Sequence, residues 1–281
     1  MMRAFRNIVT WWAMFVGLFG VGIISLLILG PPLGAIYNVI VTGGCRGDSP
    51  RNVTIDAREA TVLRVIGDRG DLSVVGRPGL TEIQVRGVAC ASHRSKDDVD
   101  SIVLNTSFEG GKIIVAVIIP ASIEGGRLDL EILVPEDLPR VEIDDAHGPV
   151  FVTNVRELEV TVGNGVLEAT RIGGSVNVSS LRGSMSLSDV LDDVTVDAIH
   201  GYGTVEIDGV GGSVVLGVNR SGPAKIANVG GNVIVGNAGY GDLSVSRVAG
   251  YLLVEENPGG QLQTDRIGGS VRLPGNSDGD S

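Results

Sequence analysis

A valine or isoleucine, usually followed by a Gly-Gly pair or a near equivalent, returns at almost fixed intervals through the C-terminal half of this 281-residue chain. The positions are Val155, Ile172, Val190, Val210, Val229, Val248 and Ile267, at steps of 17, 18, 20, 19, 19 and 19 residues. A repeat of this kind marks a stacked array, in which each unit buries its apolar face only against its neighbours. It says much about shape and little about a precise biochemical activity.

The interior of each unit is legible from the same anchors. Five and three residues before them stand Val150 and Val152, Leu167 and Ala169, Met185 and Leu187, Val205 and Ile207, Ala224 and Ile226, Leu243 and Val245, and Leu262 and Thr264. Four and six residues after them stand Val176 and Val178, Val194 and Val196, Val214 and Leu216, Val233 and Val235, Leu252 and Val254, and Val271 and Leu273. Each unit therefore holds two period-two strands, with a turn between them, and alternation puts the named residues on one face. The anchor is the inward residue that closes a strand before a glycine corner. The closed solution is an all-β, parallel β-solenoid of about 19 residues per coil, with coils ~4.8 Å apart. Right-handed winding is the default. A hexapeptide helix is excluded, because Ile172 and Val178 are followed by Ser184.

Composition agrees with short strands and tight turns. The chain has 42 glycines, and aromatics make up 4 %. Its net charge of −11 repels phosphate backbones, so no nucleic-acid partner is expected.

The N-terminus is of another kind. Arg3 and Arg6 precede an uncharged run from Val9 to Leu29, long enough as a helix to span a ~30 Å hydrocarbon core. Trp11 and Trp12 suit an interfacial anchor, and Pro31 and Pro32 end the run. Residues 1–30 are thus expected to be a cytoplasmic stub and a single-pass membrane anchor through residues 9–29, with the bulk of the chain extracytoplasmic. A cleaved signal peptide would have a shorter apolar run and a better cleavage site than Leu33-Gly34-Ala35. Thr42-Gly43-Gly44-Cys45 has a faint likeness to a lipobox, but lies far past the apolar run. Cys45 and Cys90 both follow the anchor, and in an oxidising compartment they are candidates for a disulfide; two free thiols are the alternative.

Residues 31–52 read as a connector. Residues 53–139 read as an irregular β-rich region that caps the first coil. In it, Lys112 to Ile119 is apolar on both faces and is expected to be a fully buried strand, and Ser92 to Ser101 an exposed loop. Residues 140–273 are the solenoid, and residues 274–281 a polar tail. Arg272, Pro274 and this tail are expected to blunt the far end, because open strand edges invite aggregation.

Three stretches, Leu72-Ser73-Val74-Val75-Gly76 with Glu82-Ile83-Gln84-Val85, Leu128 to Val134 closed by Pro135-Glu136-Asp137-Leu138-Pro139, and units such as Gly173-Gly174-Ser175-Val176-Asn177-Val178, resemble a widespread bacterial family of β-strand-repeat proteins labelled putative adhesins. The likeness spans residues 60–273 or so. It implies a solenoid at the cell envelope, with some members tied to envelope-stress signalling. It brings no functional residues to carry over.

Motifs for chemistry are sparse. Asp144, Asp145 and His147 form the best carboxylate cluster, but coils this short leave no length for the groove of a polysaccharide-cleaving enzyme. Gly239-Tyr240-Gly241-Asp242-Leu243 approaches a calcium nonapeptide once, without repeating. His93, His147 and His200 lack ligand spacing, and Gly201-Tyr202-Gly203 is followed by no helix, so no cofactor or metal is expected. Arg46-Gly47-Asp48 and Arg69-Gly70-Asp71 spell an integrin-type tripeptide of the sort that such a composition produces by chance.

One outward position changes character. Asn177 and Thr195 occupy it first, and then Val215, Ile234 and Leu253, with Tyr251 nearby. Stacked at the repeat, these residues predict an apolar stripe for self-association or for a protein or glycan partner at the cell surface. The expected function is a non-enzymatic, adhesin-like or scaffolding module; an envelope-stress or signalling accessory is the second reading, and a carbohydrate-active enzyme the third.

Overall fold

The computed structural model describes residues 48–67, 69–91 and 96–275. The first part holds β1 (Asp48–Asp56), β2 (Val62–Ile66), β3 (Leu72–Arg77), β4 (Glu82–Cys90), α1 (Lys96–Asp100), β5 (Val103–Glu109), β6 (Lys112–Ile118) and β7 (Arg127–Pro135). The repeats follow as β8 (Arg140–His147), β9 (Val150–Thr153), β10 (Leu158–Ile172), β11 (Val176–Val190), β12 (Val194–His200), β13 (Val205–Val210) and β14 (Val214–Asn219). The last strands are β15 (Ala224–Val229), β16 (Val233–Asn237), β17 (Leu243–Val248), β18 (Leu252–Glu256), β19 (Leu262–Ile267) and β20 (Val271–Arg272).

These strands form two facing ladders. Sheet A runs β9, the C-terminal part of β10, that of β11, β13, β15, β17 and β19, every step parallel. Sheet B runs β8, the N-terminal part of β10, that of β11, β12, β14, β16, β18 and β20, again parallel. The register follows the repeat: Val194 pairs with Val214, Val214 with Val233, and Val233 with Leu252. Each of these four side chains is 0 % exposed. Full burial of such a side chain is worth about 1.5–3 kcal/mol, so the core is a stack of small equal contributions, each supplied by the next coil.

The anchors reveal a corner that period two does not predict. With the residues at −5 and −3 facing inward, strict alternation would turn −1 inward and the anchor outward. The structure places −1 in the left-handed region in every unit: Asn154, Arg171, Asp189, Asn228, Arg247 and Arg266 have φ of 54 to 56°, and Gly209 has 71°. That single residue reverses the phase, and the anchors from Val155 to Val248 are at most 3 % exposed. A non-glycine residue there costs roughly 1–2 kcal/mol, less for Asn or Asp. Hydrogen bonds between coils offset part of it: Arg171 Nε donates to Asn154 Oδ1 at 2.7 Å, and Arg247 Nε to Asn228 Oδ1 at 2.5 Å.

A second corner is set by glycines seven residues before each anchor. Gly148, Gly165, Gly183, Gly203, Gly222, Gly241 and Gly260 stack on one another, below Gly70. A Cβ at any of Gly165 to Gly260 would lie 1.7 to 2.1 Å from the carbonyl oxygen of the glycine in the preceding coil. No side chain fits, whatever its chemistry.

The region before the repeats continues both ladders. On sheet B, β2 lies parallel between β6 and β8; on sheet A, β3 lies parallel between β7 and β9. The unit β6–β7 therefore stacks outside the unit β2–β3 that precedes it in sequence. Antiparallel strands then end the stack: β4 and β1 beyond β7, and β5 beyond β6. Two expectations change here. Strand β6 is not fully buried: Ile113, Val115 and Val117 face the core, whereas Ile118 is 50 % exposed, because among the described residues no layer covers the outer face of sheet B. The polar segment after Ala91 is not simply a loop: it contains α1, whose Val99 is buried, and Arg51 Nη2 and Nε donate to the carbonyls of Val99 and Ile102, each at 3.1 Å.

At the far end, β19 and β20 have no further coil among the described residues. Val271 is 44 % exposed, and Leu262, Ile267 and Leu273 are only partly buried against the core. The tail from residue 276 and the expected membrane span, residues 9–29, lie outside the described residues. Among the described residues, no helix is long and apolar enough to cross a membrane.

Candidate functional site

The outer face of sheet B carries a single column of paired residues along the whole stack. It runs Ile114, Arg64, Glu142, Glu159, Asn177, Thr195, Val215, Ile234, Leu253 and Arg272, each in register with the next. Cross-strand neighbours on one sheet face are close enough for side chains to meet. The early coils use that proximity for ion pairs. Lys112 Nζ lies 2.8 Å from Glu142, Arg64 Nε 2.5 Å from Asp144, and Arg140 Nη2 3.1 Å from Glu157. The column then becomes polar at Asn177 and Thr195, is apolar at Val215, Ile234 and Leu253, and ends on Arg272.

The structure brings Val215, Ile234 and Leu253 together as read from the sequence. All three are half-buried, and Tyr251 beside them is 38 % exposed. Beside Val215 and Ile234 the flank of the stripe is bare: Gly217 and Gly236 stand there, stacked so that a Cβ on Gly236 would lie 2.6 Å from the Gly217 carbonyl, whereas Glu255 follows Leu253. The flank before it is tied up. Asp193 Oδ1 accepts from Ser213 N at 2.7 Å, Ser213 Oγ from Asn232 N at 3.1 Å, and Asn232 Oδ1 from Tyr251 N at 3.0 Å. These side chains replace the ladder bonds that the turning backbone cannot make. The result is an apolar strip, bordered on one side by a hydrogen-bonded rail and on the other by the backbone of Gly217 and Gly236. Asp197 and Glu255 lie at its two ends.

The residues weighed for chemistry are occupied otherwise. Asp144 is held by Arg64, and the backbone of His147 pairs with that of Arg69 in an isolated parallel bridge. The side chain of Asp145, and His93, lie outside the described residues. Among the described residues, no group of three His, Cys, Asp or Glu side chains could hold a metal ion. The tripeptide Arg69-Gly70-Asp71 is built into a coil corner rather than displayed on a loop: a Cβ on Gly70 would lie 2.2 Å from the Leu128 carbonyl, and Asp71 N donates to Asp129 Oδ1 at 3.0 Å. Desolvation, followed by the nearby Asp129 carboxylate, pushes the Asp71 carboxyl above the ordinary aspartate range, although the residue keeps an open side to solvent. The small recess lined by Val65, Arg69, Asp71, Leu72, Val117 and Leu128 measures about 10 Å³, room for roughly one water. Cys90 is disulfide-bonded and 4 % exposed; Cys45 lies outside the described residues.

Three structural sets escaped the sequence reading: the left-handed residue before each anchor, the glycine ladder at −7, and the Asp193–Ser213–Asn232 rail. The glycine ladder had a signal, an unbroken column of Gly at one offset. The left-handed column had a weaker one, the odd spacing between −3 and the anchor.

No family model matches this chain, and no curated protein matches it. Solved structures do. A putative adhesin from Bacteroides fragilis is 12 % identical, with a TM-score of 0.39 over 82 % of this chain and 98 % of that one. A putative cell adhesion protein from Clostridium sporogenes is 10 % identical, with a TM-score of 0.27 over 80 % and 99 %. A putative adhesin from Parabacteroides merdae is 12 % identical, with a TM-score of 0.29 over 82 % and 97 %.

Proposed function

We propose that this chain is a non-enzymatic interaction module, an adhesin-like or scaffolding rod of the cell envelope, held at the membrane through residues 9–29 and braced by pairing of Cys90 with Cys45. Its contact surface is the apolar part of the sheet B face. One observation carries this reading. Between Ile114 and Arg272 at its ends, one outward column is charged at Arg64, Glu142 and Glu159, polar at Asn177 and Thr195, and apolar at Val215, Ile234 and Leu253, although its fold requirement is the same throughout. Stacking demands apolar residues inward and leaves the outward choice free, so the change reflects something the surface meets. The bare flank of Gly217 and Gly236 lets a partner approach the backbone there.

Ile234→Lys tests the reading. It puts a charge in the centre of the stripe without touching the core. The expected outcome is loss of self-association in light scattering, or of partner recovery after crosslinking on intact cells, with an unchanged melting temperature. An unchanged oligomeric state together with unchanged recovery refutes it.

A further inference from the structure

Two tyrosines on another edge of the rod are arranged as a pair. Tyr202 and Tyr240 each sit between glycines, in Gly201-Tyr202-Gly203 and Gly239-Tyr240-Gly241. Each immediately precedes a member of the stacked glycine ladder, and Gly203 and Gly241 are separated by one intervening member, Gly222. The backbone positions of the two residues therefore stand at the same corner two coils apart, a distance of about 9.6 Å at the ladder spacing. The coil between them has Ser221 at this position, and the coil after has Gly259. Tyr202 is 89 % exposed and Tyr240 72 %. Aromatic rings of this size normally bury most of their surface, and two so open on one line are uncommon. Tyr240 is also braced. A Cβ on Gly259 would lie 2.7 Å from its Cδ1, so the ring lies against the bare backbone of the next coil and keeps its remaining surface open.

We infer that Tyr202 and Tyr240 form a stacking platform for an extended β-1,4-linked pyranose chain. This deepens the reading of the rod as a binding module, and uses a surface separate from the sheet B stripe. In such a chain every second ring presents the same face, at a repeat close to the separation of two coils. The apolar C–H face of a pyranose stacks on an aromatic ring, while its hydroxyls remain for polar neighbours, here Arg220, Ser221 and Asp242. A protein contact fits less well, because protein hot spots cluster in one desolvated patch, whereas these rings are parted by a serine and flanked by glycines. A polyanion is disfavoured by the chain's net charge of −11. The open, linear edge suits a polymer rather than a single sugar.

The test is calorimetric titration of the full-length protein with cellohexaose, chitohexaose and, as the α-linked control, maltohexaose. At least one β-linked hexamer is expected to bind, more tightly than maltohexaose, and the preferred one separates a glucan from an amino-sugar polymer as the source. Tyr202→Ala and Tyr240→Ala should each weaken it by about tenfold, the scale of one lost stacking ring, at an unchanged melting temperature. The double variant Ser221→Tyr, Tyr240→Ser keeps two rings but halves their spacing, and it should bind as poorly as the single-ring variant. Ile234→Lys should leave glycan binding intact, so failure of this proposal and failure of the stripe are distinguishable. The inference is overturned if no β-linked hexamer binds, if the tyrosine variants bind as wild type does, if the respaced pair is as good as the native one, or if only a protein partner depends on the tyrosines.

Discussion

Gly222→Ala is the sharpest probe of the coil geometry. The new Cβ would lie 1.7 Å from the carbonyl oxygen of Gly203 in the preceding coil. A close carbon–oxygen contact needs about 3.3 Å, so the two coils must part locally by roughly 1.6 Å out of a ~4.8 Å spacing. The corner has little freedom to do so. Asn219 Nδ2, in a side chain 0 % exposed, donates to the Gly222 carbonyl at 2.7 Å, and Val205 N donates to Pro223 O at 2.9 Å. Overpacking costs about 1–3 kcal/mol, and each bond strained open adds about 1 kcal/mol, for a total near 3 kcal/mol or more. In a folded part of this size, that lowers the melting temperature by roughly 6–12 °C. Gly173→Ala is the matched control, because a Cβ there meets nothing nearer than 3.9 Å. It should be neutral or stabilising by up to about 1 kcal/mol, through a less flexible unfolded chain. Thermal and urea unfolding followed by circular dichroism measure both. If Gly222→Ala falls within about 1 kcal/mol of Gly173→Ala, the close-packed ladder is wrong.

Two further outcomes follow from the corners. Asp189 holds φ at 54°, so Asp189→Gly should be close to wild type, whereas Asp189→Val should be less stable than Asp189→Gly by about 1–2 kcal/mol in urea unfolding; equal stabilities would refute the phase-reversing corner. Asp71 has a folded pKa raised above the ordinary 3.8, so its contribution is fully present at pH values below that value and is lost as pH rises through the raised one. Asp71→Asn should therefore flatten the fall in stability across that window, and a melting-temperature profile against pH parallel to that of wild type would refute the assignment.

The sequence alone determined the two-strand coil, its period and its inward residues, because stacking imposes the same apolar demand on every unit and prints it at fixed spacing. Val214, Val233 and Leu252 could be paired from spacing alone, and so could the stripe of Val215, Ile234 and Leu253. Tertiary structure decided the rest. The left-handed residue before each anchor is tolerated as Arg, Asn, Asp or Gly, so residue type does not reveal it; the bend becomes necessary only when the anchor must also reach the core. The order of the first coils was equally hidden. Nothing local to β6 and β7 tells them to stack outside β2 and β3, since the choice lies in long-range pairing, with β4, β1 and β5 closing the end. The pairing of Tyr202 with Tyr240 belongs to the same class. Their separation of 38 residues is in the sequence, but only the stacked glycine corner makes it one line of two exposed rings.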